Sequence, residues 1–373
     1  MRIAVVDTYY PAFVAEHYRR RPELRGAGYD EQQAALMARC FGTSDAYSRH
    51  LNELGHEAVD LAVSCFELQS AWAREHGRSS LLRLAGALPT RAGIAARARF
   101  LHDVANAQIA QFDPEVIYLQ DLWFFRREEL DAFRSAGRLV VGQIASRPPG
   151  PELLGGFDLI TTSFPHFVER FREAGIDSEY LAIAFYERVL DRLREIGVDP
   201  SPAADRPYGV SFIGGLDPSV HGSGVALLER LSARVPIDVW GYGARRSNLQ
   251  DRYRGEAWGL DMYEVLGRSR ISLNRHIDVA QGYANNMRMF ETTGVGTLLL
   301  TEKAPNLANL FAPGQEVVAY ESEDDLVEKI QHYLEHEDER AEIAAAGQRR
   351  TLGEHTYRHR MTELAAMLEQ RLG

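Results

Sequence analysis

Short apolar runs, each followed by an amphipathic stretch, recur along this 373-residue chain, and that alternation restricts its fold more than any other feature. In the first half Ile3 to Val6, VIYLQ (Val116 to Gln120), LVVGQIA (Leu139 to Ala145) and FDLITTS (Phe157 to Ser163) read as strands. VIYLQ is entered through Asp113-Pro114, a pair that stops a preceding helix. EELDAFRSAG and FPHFVERFREAGI have helical periodicity, and Gly175 is placed as a C-cap for the second. Strands separated by helices pair in parallel, which predicts an α/β, doubly wound sheet whose ligand edge lies at the C-terminal ends of its strands.

DPSPAADRP, residues 199 to 207, is proline-rich, lacks large apolar residues and has no periodicity, so it reads as a linker. Beyond it the alternation restarts with YGVSFIGG, IDVWGYG, RISLN, TLLLT and EVVAY. A chain of this length exceeds one ordinary core. The expected organisation is an N-terminal Rossmann-like domain over 1–198, a linker over 199–207, a second Rossmann-like domain over 208–354 and a closing helix over 355–373. Ser322 followed by Asp325 resembles a capping box at the start of DLVEKIQHYLEH.

Composition narrows the function classes. A formal charge of −11 opposes general nucleic-acid binding, which needs Lys and Arg against the phosphate backbone. Only Cys40 and Cys65 occur, without a C-x-x-C pair, so a disulfide framework and a cysteine zinc site are not expected. MRIAVVDTYY lacks the long apolar region of a signal peptide, and no run of about 18 apolar residues suits a membrane span. The expected address is the cytoplasm. Neither H-E-x-x-H nor a D-x-D in suitable context is found, so no metal and no cofactor are expected. His17, His50 and His56 occur singly and read as packed or surface histidines. Oligomeric state is not encoded in any feature of this kind.

One segment breaks the rhythm. From Tyr9 to about Gly42 the chain is polar, aromatic and arginine-bearing, directly after the first strand. It reads either as a cover over the ligand edge or as a surface helical decoration.

The stretch NNMRMFETTGVGTLLLTE, residues 285 to 302, carries the densest candidate chemistry. RISLN should deliver Asn274, Arg275 and His276 to the ligand edge, and Asn285 or Asn286 suits the N-cap of the helix that follows. The N–H groups of a helix start, with Arg288 in its first turn, suit a diphosphate. Glu291, deeper in the helix, has a carboxylate able to accept two bonds from a ribose diol. Arg288 and Glu291, three apart, would equally form a solvated ion pair with no ligand. Gly294 and Gly296 suit the turn into TLLLT.

Two glycine loops follow strands in the same half. Gly214 and Gly215, with His221 nearby, let backbone approach a phosphate, and Gly241 with Tyr242 in WGYGARR could border a base. Each is also an ordinary turn. Neither G-x-x-x-x-G-K-[ST] nor a complete G-x-G-x-x-G is present, which disfavours a P-loop kinase and a simple dinucleotide enzyme.

YRGEAWGLDMYEVLGRSRISLNRHIDVAQGYANNMRMFETTGVGTLLLTE, with NLFAPGQEVVAY and GQRRTLGEHTYRHRM behind it, resembles the C-terminal half of the bacterial spore-maturation (CgeB-type) glycosyltransferases. YYPAF, FGTSDAYSRHLNELGHEA and LQSAWAREHG extend the resemblance into the first half. It implies a GT-B fold, two Rossmann-like domains facing each other across a cleft, with the acceptor on the first and a nucleotide-diphosphate sugar on the second. It also implies that Glu291 holds the donor ribose, that Asn285 to Arg288 and Gly214 to Gly215 hold the diphosphate, and that the last helix crosses back to the first domain. Many retaining members of the fold carry a second glutamate eight positions earlier, where this chain has Tyr283, so the stereochemical outcome stays open.

Transfer to an acceptor hydroxyl calls for a base in an inverting enzyme. Asp121 after VIYLQ, His166 in the SFPHF turn and Asp7 after the first strand are the candidates, with Trp123 and Phe124 placed to stack on a sugar. Each has a structural alternative: Asp121 as a cap of the next helix, His166 as a packed helix residue, Asp7 in a backbone turn. The expected activity is metal-independent transfer to a glycan, lipid-linked or protein acceptor. An epimerase or hydrolase of nucleotide sugars, or a degenerate binding protein of the same fold, is the alternative.

Overall fold

The computed structural model describes residues 1–78, 91–243, 248–249, 251–276 and 280–373, and at 91, 92 and 219–221 the backbone alone. The chain divides into two compact units, Met1–Ala182 with Met361–Gly373, and Ile183–Arg360.

The first unit is built on β1 (Arg2–Asp7), β2 (Glu57–Ala62), β3 (Val116–Leu119), β4 (Leu139–Gln143), β5 (Leu159–Thr162) and β6 (Ser178–Tyr180). They form one parallel sheet in the order β2-β1-β3-β4-β5-β6. The interior strands β3 and β5 are buried along their full length, as helices on both faces of a parallel sheet require. After β2 the chain passes to the other side of β1 to lay down β3, so the strand order reverses between β1 and β3. In open α/β sheets that reversal opens a crevice beyond the carboxyl ends of the two strands.

The second unit contains β7 (Tyr208–Ile213), β8 (Ile237–Trp240), β9 (Tyr253–Gly255), β10 (Ser269–Asn274), β11 (Leu298–Glu302) and β12 (Val318–Tyr320). This sheet is also parallel, ordered β12-β11-β10-β7-β8-β9, and reverses between β7 and β10. Its core joins Val210, Val239, Ile271, Leu273, Leu298 and Leu300 to Leu326 and Ile330 of the helix Glu323–Glu335. That helix is capped by Ser322, which accepts from Asp325 N at 3.2 Å. The carboxylate of Asp325 accepts from Glu321 N rather than from the cap residue itself.

The apolar runs of the sequence are found as strands, and β2, β6 and β9 are additions to them. All three lie at sheet edges, where a strand is short or polar because its outer side has no pairing partner. Gly175 has φ +75° just beyond the helix Pro165–Glu173, a conformation that costs glycine little.

The segment Tyr9–Gly42 is part of the first core. Phe13, Tyr18, Leu24 and Leu36 are buried, and Phe13 stacks on Phe41 at 4.2 Å. Tyr9 N bonds Ser64 Oγ, and Gln33 Nε2 donates to Asp60 O, which ties the segment to β2 and the loop beyond it. Burial on this scale excludes a merely decorative role.

Residues 199–207 lie inside the second unit, and Arg206 is the reason. Its side chain is buried and donates to Leu266, Gly267 and Ser269 carbonyls, to Thr297 Oγ1, and to Ser201, Val295 and Gly296 carbonyls. The Leu266, Gly267, Val295 and Gly296 carbonyls lie at or just beyond the ends of the helices Leu260–Gly267 and Met287–Gly294, where the helix dipole is negative. Burial, with Arg340 nearby, lowers the pKa of Arg206 to about 10, so the side chain stays charged at neutral pH. The closing residues Met361–Gly373 belong to the first unit, where Arg371 bonds Asp177 at 2.8 Å.

Candidate functional site

In the second unit the strand reversal gathers the expected side chains at the ends of β7 and β10. Asn286 is the N-cap of the helix Met287–Gly294: its side-chain oxygen accepts from Met289 N at 3.2 Å. Its amide donates to Asn274 Oδ1 and to Arg275 O, each at 2.8 Å. One side chain thus caps the helix and clamps it to the exit of β10. The first-turn N–H groups, which have no partner within the helix itself, are then held at the carboxyl edge of the sheet.

Glu291 is buried, and both its oxygens are engaged. Tyr263 Oη donates to Oε1 at 3.3 Å and Arg288 Nη1 lies 2.8 Å from Oε2. The ion pair is therefore internal, with side-chain exposures of 17% and 7%, and not the solvated pair that helical spacing also allowed. An ionised carboxylate accepts about four bonds, so this one retains acceptor capacity. Arg288 also touches the sulfur of Met262.

The strand-exit residues brace one another. Arg275 Nε bonds Glu302 Oε1 at 2.8 Å, and Glu302 Oε2 accepts from His276 N. The Nδ1 atom of His276 accepts from Asn285 N, which assigns its proton to Nε2, 3.3 Å from Thr301 Oγ1. Burial lowers the pKa of His276 and keeps the ring neutral. Asn274 Nδ2 donates to Thr301 Oγ1. Asn306 binds both the N–H and the carbonyl of Ala284, fixing the chain just before Asn285.

The glycine loops lie where the sequence puts them, beyond β7 and β8. Gly241 has φ +154°, and a Cβ there would fall 1.7 Å from Gly214 O, so no other residue fits. Leu216 N donates to Tyr242 O, joining the two loops. Tyr242 stacks on Trp258 at 5.6 Å and stays 38% exposed. Gly215 is on the first loop; the side chain of His221 and residues 244–246 of the second lie outside the described residues. Tyr283 sits in a turn after Gly282, its N–H bonded to Ala280 O.

In the first unit the reversal between β1 and β3 brings together Asp7 and Asp121 but not His166. Thr8 joins them: its N–H donates to Asp7 Oδ1 and its hydroxyl to Asp121 Oδ2, each at 2.8 Å. Asp121 Oδ1 accepts from Trp123 N, a local turn; the next helix begins only at Arg127. Burial raises the pKa of Asp7 to about 7, opposed by the Thr8 N–H and reinforced by the negative charge of Asp121. His166 follows β5, two strands from β3, which is roughly 10 Å at ordinary strand spacing. It packs on Phe164 and Phe167, and burial lowers its pKa. Tyr10 and Trp123 are 55% and 51% exposed, whereas Phe124 stacks inward on His102 at 4.6 Å.

Sequence reading did not find Thr8, Tyr263, Glu302 or Asn306. Each acts on a site residue, or in the case of Asn306 on the residue just before Asn285, from 22 to 113 positions away, and no local pattern marks it. Among the described residues no group of three or more His, Cys, Asp or Glu is arranged to hold a metal ion. No helix among them is long and apolar enough to cross a membrane.

Residues 224–366 match the family model described as glycosyl transferase-like. No curated protein sequence matches the chain. Similar solved structures include sucrose-phosphate synthase from Thermosynechococcus elongatus, with TM-score 0.58, 10% identity, and 99% of this chain and 98% of that chain covered. HepE from Anabaena in complex with UDP-glucose matches with TM-score 0.54 and 12% identity over 99% and 100% of the two chains. UDP-GlcNAc 2-epimerase from Neisseria meningitidis bound to UDP-GlcNAc gives TM-score 0.55 and 10% identity, again over 99% and 100%. At these identities the likeness is one of fold, the two Rossmann-like domains of the GT-B class.

Proposed function

We propose that the protein transfers a sugar from a nucleoside diphosphate donor to an acceptor hydroxyl. The observation that carries this reading is the buried Glu291 carboxylate, held by Arg288 and Tyr263 behind a helix start that Asn286 clamps to β10. The glycosyl transferase-like match spans that whole segment, which supports the same reading. In it Glu291 accepts from the ribose diol, and the helix N–H groups with the Gly214 loop take the diphosphate.

In the reaction the bond from the anomeric carbon to the diphosphate oxygen breaks, and the electron pair leaves with the nucleoside diphosphate. The acceptor oxygen forms the new bond and its proton passes to a carboxylate of the first unit, for which Asp121 is proposed. The Thr8 hydroxyl positions that carboxylate. Leaving-group charge falls on N–H donors and arginine, so neither cofactor nor metal is required in this scheme.

The test is nucleotide binding. A panel of UDP, GDP, dTDP and ADP should include one that raises thermal stability at saturation; about 2.7 kcal/mol is expected at a hundredfold excess over Kd. Glu291→Ala should weaken that nucleotide by roughly 10- to 100-fold, the worth of about 1.5–3 kcal/mol for bonds to a charged group. Undiminished affinity in calorimetry would remove Glu291 from the ribose role. Asp121→Asn should leave nucleotide affinity unchanged and lower turnover by roughly 10²- to 10⁴-fold; equal turnover in single-turnover assays would exclude it as the base. The fold likeness to a UDP-GlcNAc 2-epimerase gives the second reading its support. Consumption of a labelled donor without any acceptor would favour it.

A further inference from the structure

We propose that the crevice between β1 and β3 is a binding subsite for an uncharged saccharide, with Tyr10 and Trp123 as its stacking faces and Asp121 and Thr8 as its hydroxyl partners. The proposal rests on the glycosyl-transfer reading and narrows its acceptor to one chemical class.

Four observations converge on this place. The crevice follows from the strand order, which reverses between β1 and β3 and leaves space beyond their carboxyl ends. Its floor is polar, since Thr8 bridges from the end of β1 to Asp121 after β3. An aromatic residue follows each strand end: Tyr10 stands two residues beyond Thr8, and Trp123 two residues beyond Asp121. Both rings expose about half their surface, although the neighbouring aromatics Tyr9, Phe13 and Phe125 are buried. The Tyr10 ring packs edge-on against Phe41 at 5.7 Å, and the Trp123 backbone is held by Asp121.

The chemistry selects the ligand. A pyranose offers an apolar C–H face to an aromatic ring and a rim of hydroxyl donors to carboxylates, and this crevice has both complements. Charge argues against a phosphate-bearing acceptor. The hydrogen bonds of Asp7 and Asp121 among the described residues run to Thr8 and Trp123, and no arginine or lysine among those residues pairs with either carboxylate. An anion would therefore meet negative charge without a counter-charge. A peptide hydroxyl would satisfy Asp121 but would not bring a C–H face to the exposed surface of the rings.

The experiment is saturation-transfer NMR and calorimetry on the full chain. The probes are the neutral trisaccharides maltotriose, cellotriose, mannotriose and chitotriose, with glucose-6-phosphate and a Ser/Thr-rich peptide as competing classes. At least one neutral trisaccharide should bind at millimolar concentration or tighter, and Trp123→Ala and Tyr10→Ala should each weaken it tenfold or more. Trp123→Phe should recover part of the loss, because a smaller ring still stacks. Both positions are exposed, so the variants should keep the parent melting temperature and nucleotide affinity. Binding of the phosphosugar or the peptide in preference, no binding by any of the four trisaccharides, or unchanged affinity in both alanine variants would each overturn the proposal. Loss of nucleotide binding by the parent protein would instead overturn the glycosyl-transfer reading, so the two failures are distinguishable.

Discussion

Replacing Arg206 by methionine should destabilise the second unit by roughly 3–5 kcal/mol, the cost of removing one partner from a buried charged network. The guanidinium reaches carbonyls at two helix ends and the Thr297 hydroxyl, with distances of 2.6 to 3.4 Å. Methionine fills comparable volume but donates nothing, and each buried carbonyl left without a donor costs about 1–3 kcal/mol. Arg206→Lys should recover only part, because a single ammonium with three donors cannot span both helix ends. Hydrogen exchange of the β10 and β11 amides reports the affected unit directly. Protection equal to that of the parent in Arg206→Met would show that these carbonyls find other donors.

Acidification should remove stability through His17 and His355. Burial, first among the causes in both cases, lowers each pKa to about 4, below the ordinary histidine value of 6.5. For His17 the charges of Arg39 and Arg21 add to the lowering and Glu23 opposes it. The folded state therefore prefers the neutral ring, and the unfolded chain takes up the proton first. Stability is full above about pH 6.5, declines as pH falls, and the loss is complete below about pH 4. At about 1.4 kcal/mol per pKa unit the loss is on the order of 3 kcal/mol for each residue. His355 bonds Leu310 O and Arg360, but neither ring nitrogen of His17 has a hydrogen-bond partner among the described residues. His17→Phe should therefore keep the parent stability at pH 7 and exceed it by about 2–3 kcal/mol at pH 4.5. Urea unfolding at the two pH values measures the difference. An unaltered acid dependence in His17→Phe would mean that the ring takes its proton without cost to the fold.

Legibility followed burial. The interior strands β1, β3, β4, β5, β7, β8, β10 and β11 are largely buried, and each carries an apolar stretch that could be read directly. Of the four edge strands only β12, within EVVAY, has such a run; EAVDLA, SEY and YRG do not. The segment 199–207 looked like a linker because its one anchoring side chain is an arginine. Hydrophobic patterning has no means of marking a charge that is buried against carbonyls.

The candidate site divides in the same way. Asn286 as a cap, Arg288 and Glu291 on one helix, and Asp121 after a strand are local features, set by spacing within a single element. That Glu291 faces Tyr263, that Asn286 clamps β10, and that Thr8 joins Asp7 to Asp121 depend on strands adjacent in space but distant in sequence. The separation of His166 from that pair is likewise a consequence of strand order. The sequence by itself determined the class of fold, two parallel sheets wrapped by helices, because burial on two faces forces a visible apolar rhythm on the strands. Only the tertiary structure decided which polar groups meet, because the order of strands in a sheet is set by crossovers that leave no periodic trace in the chain.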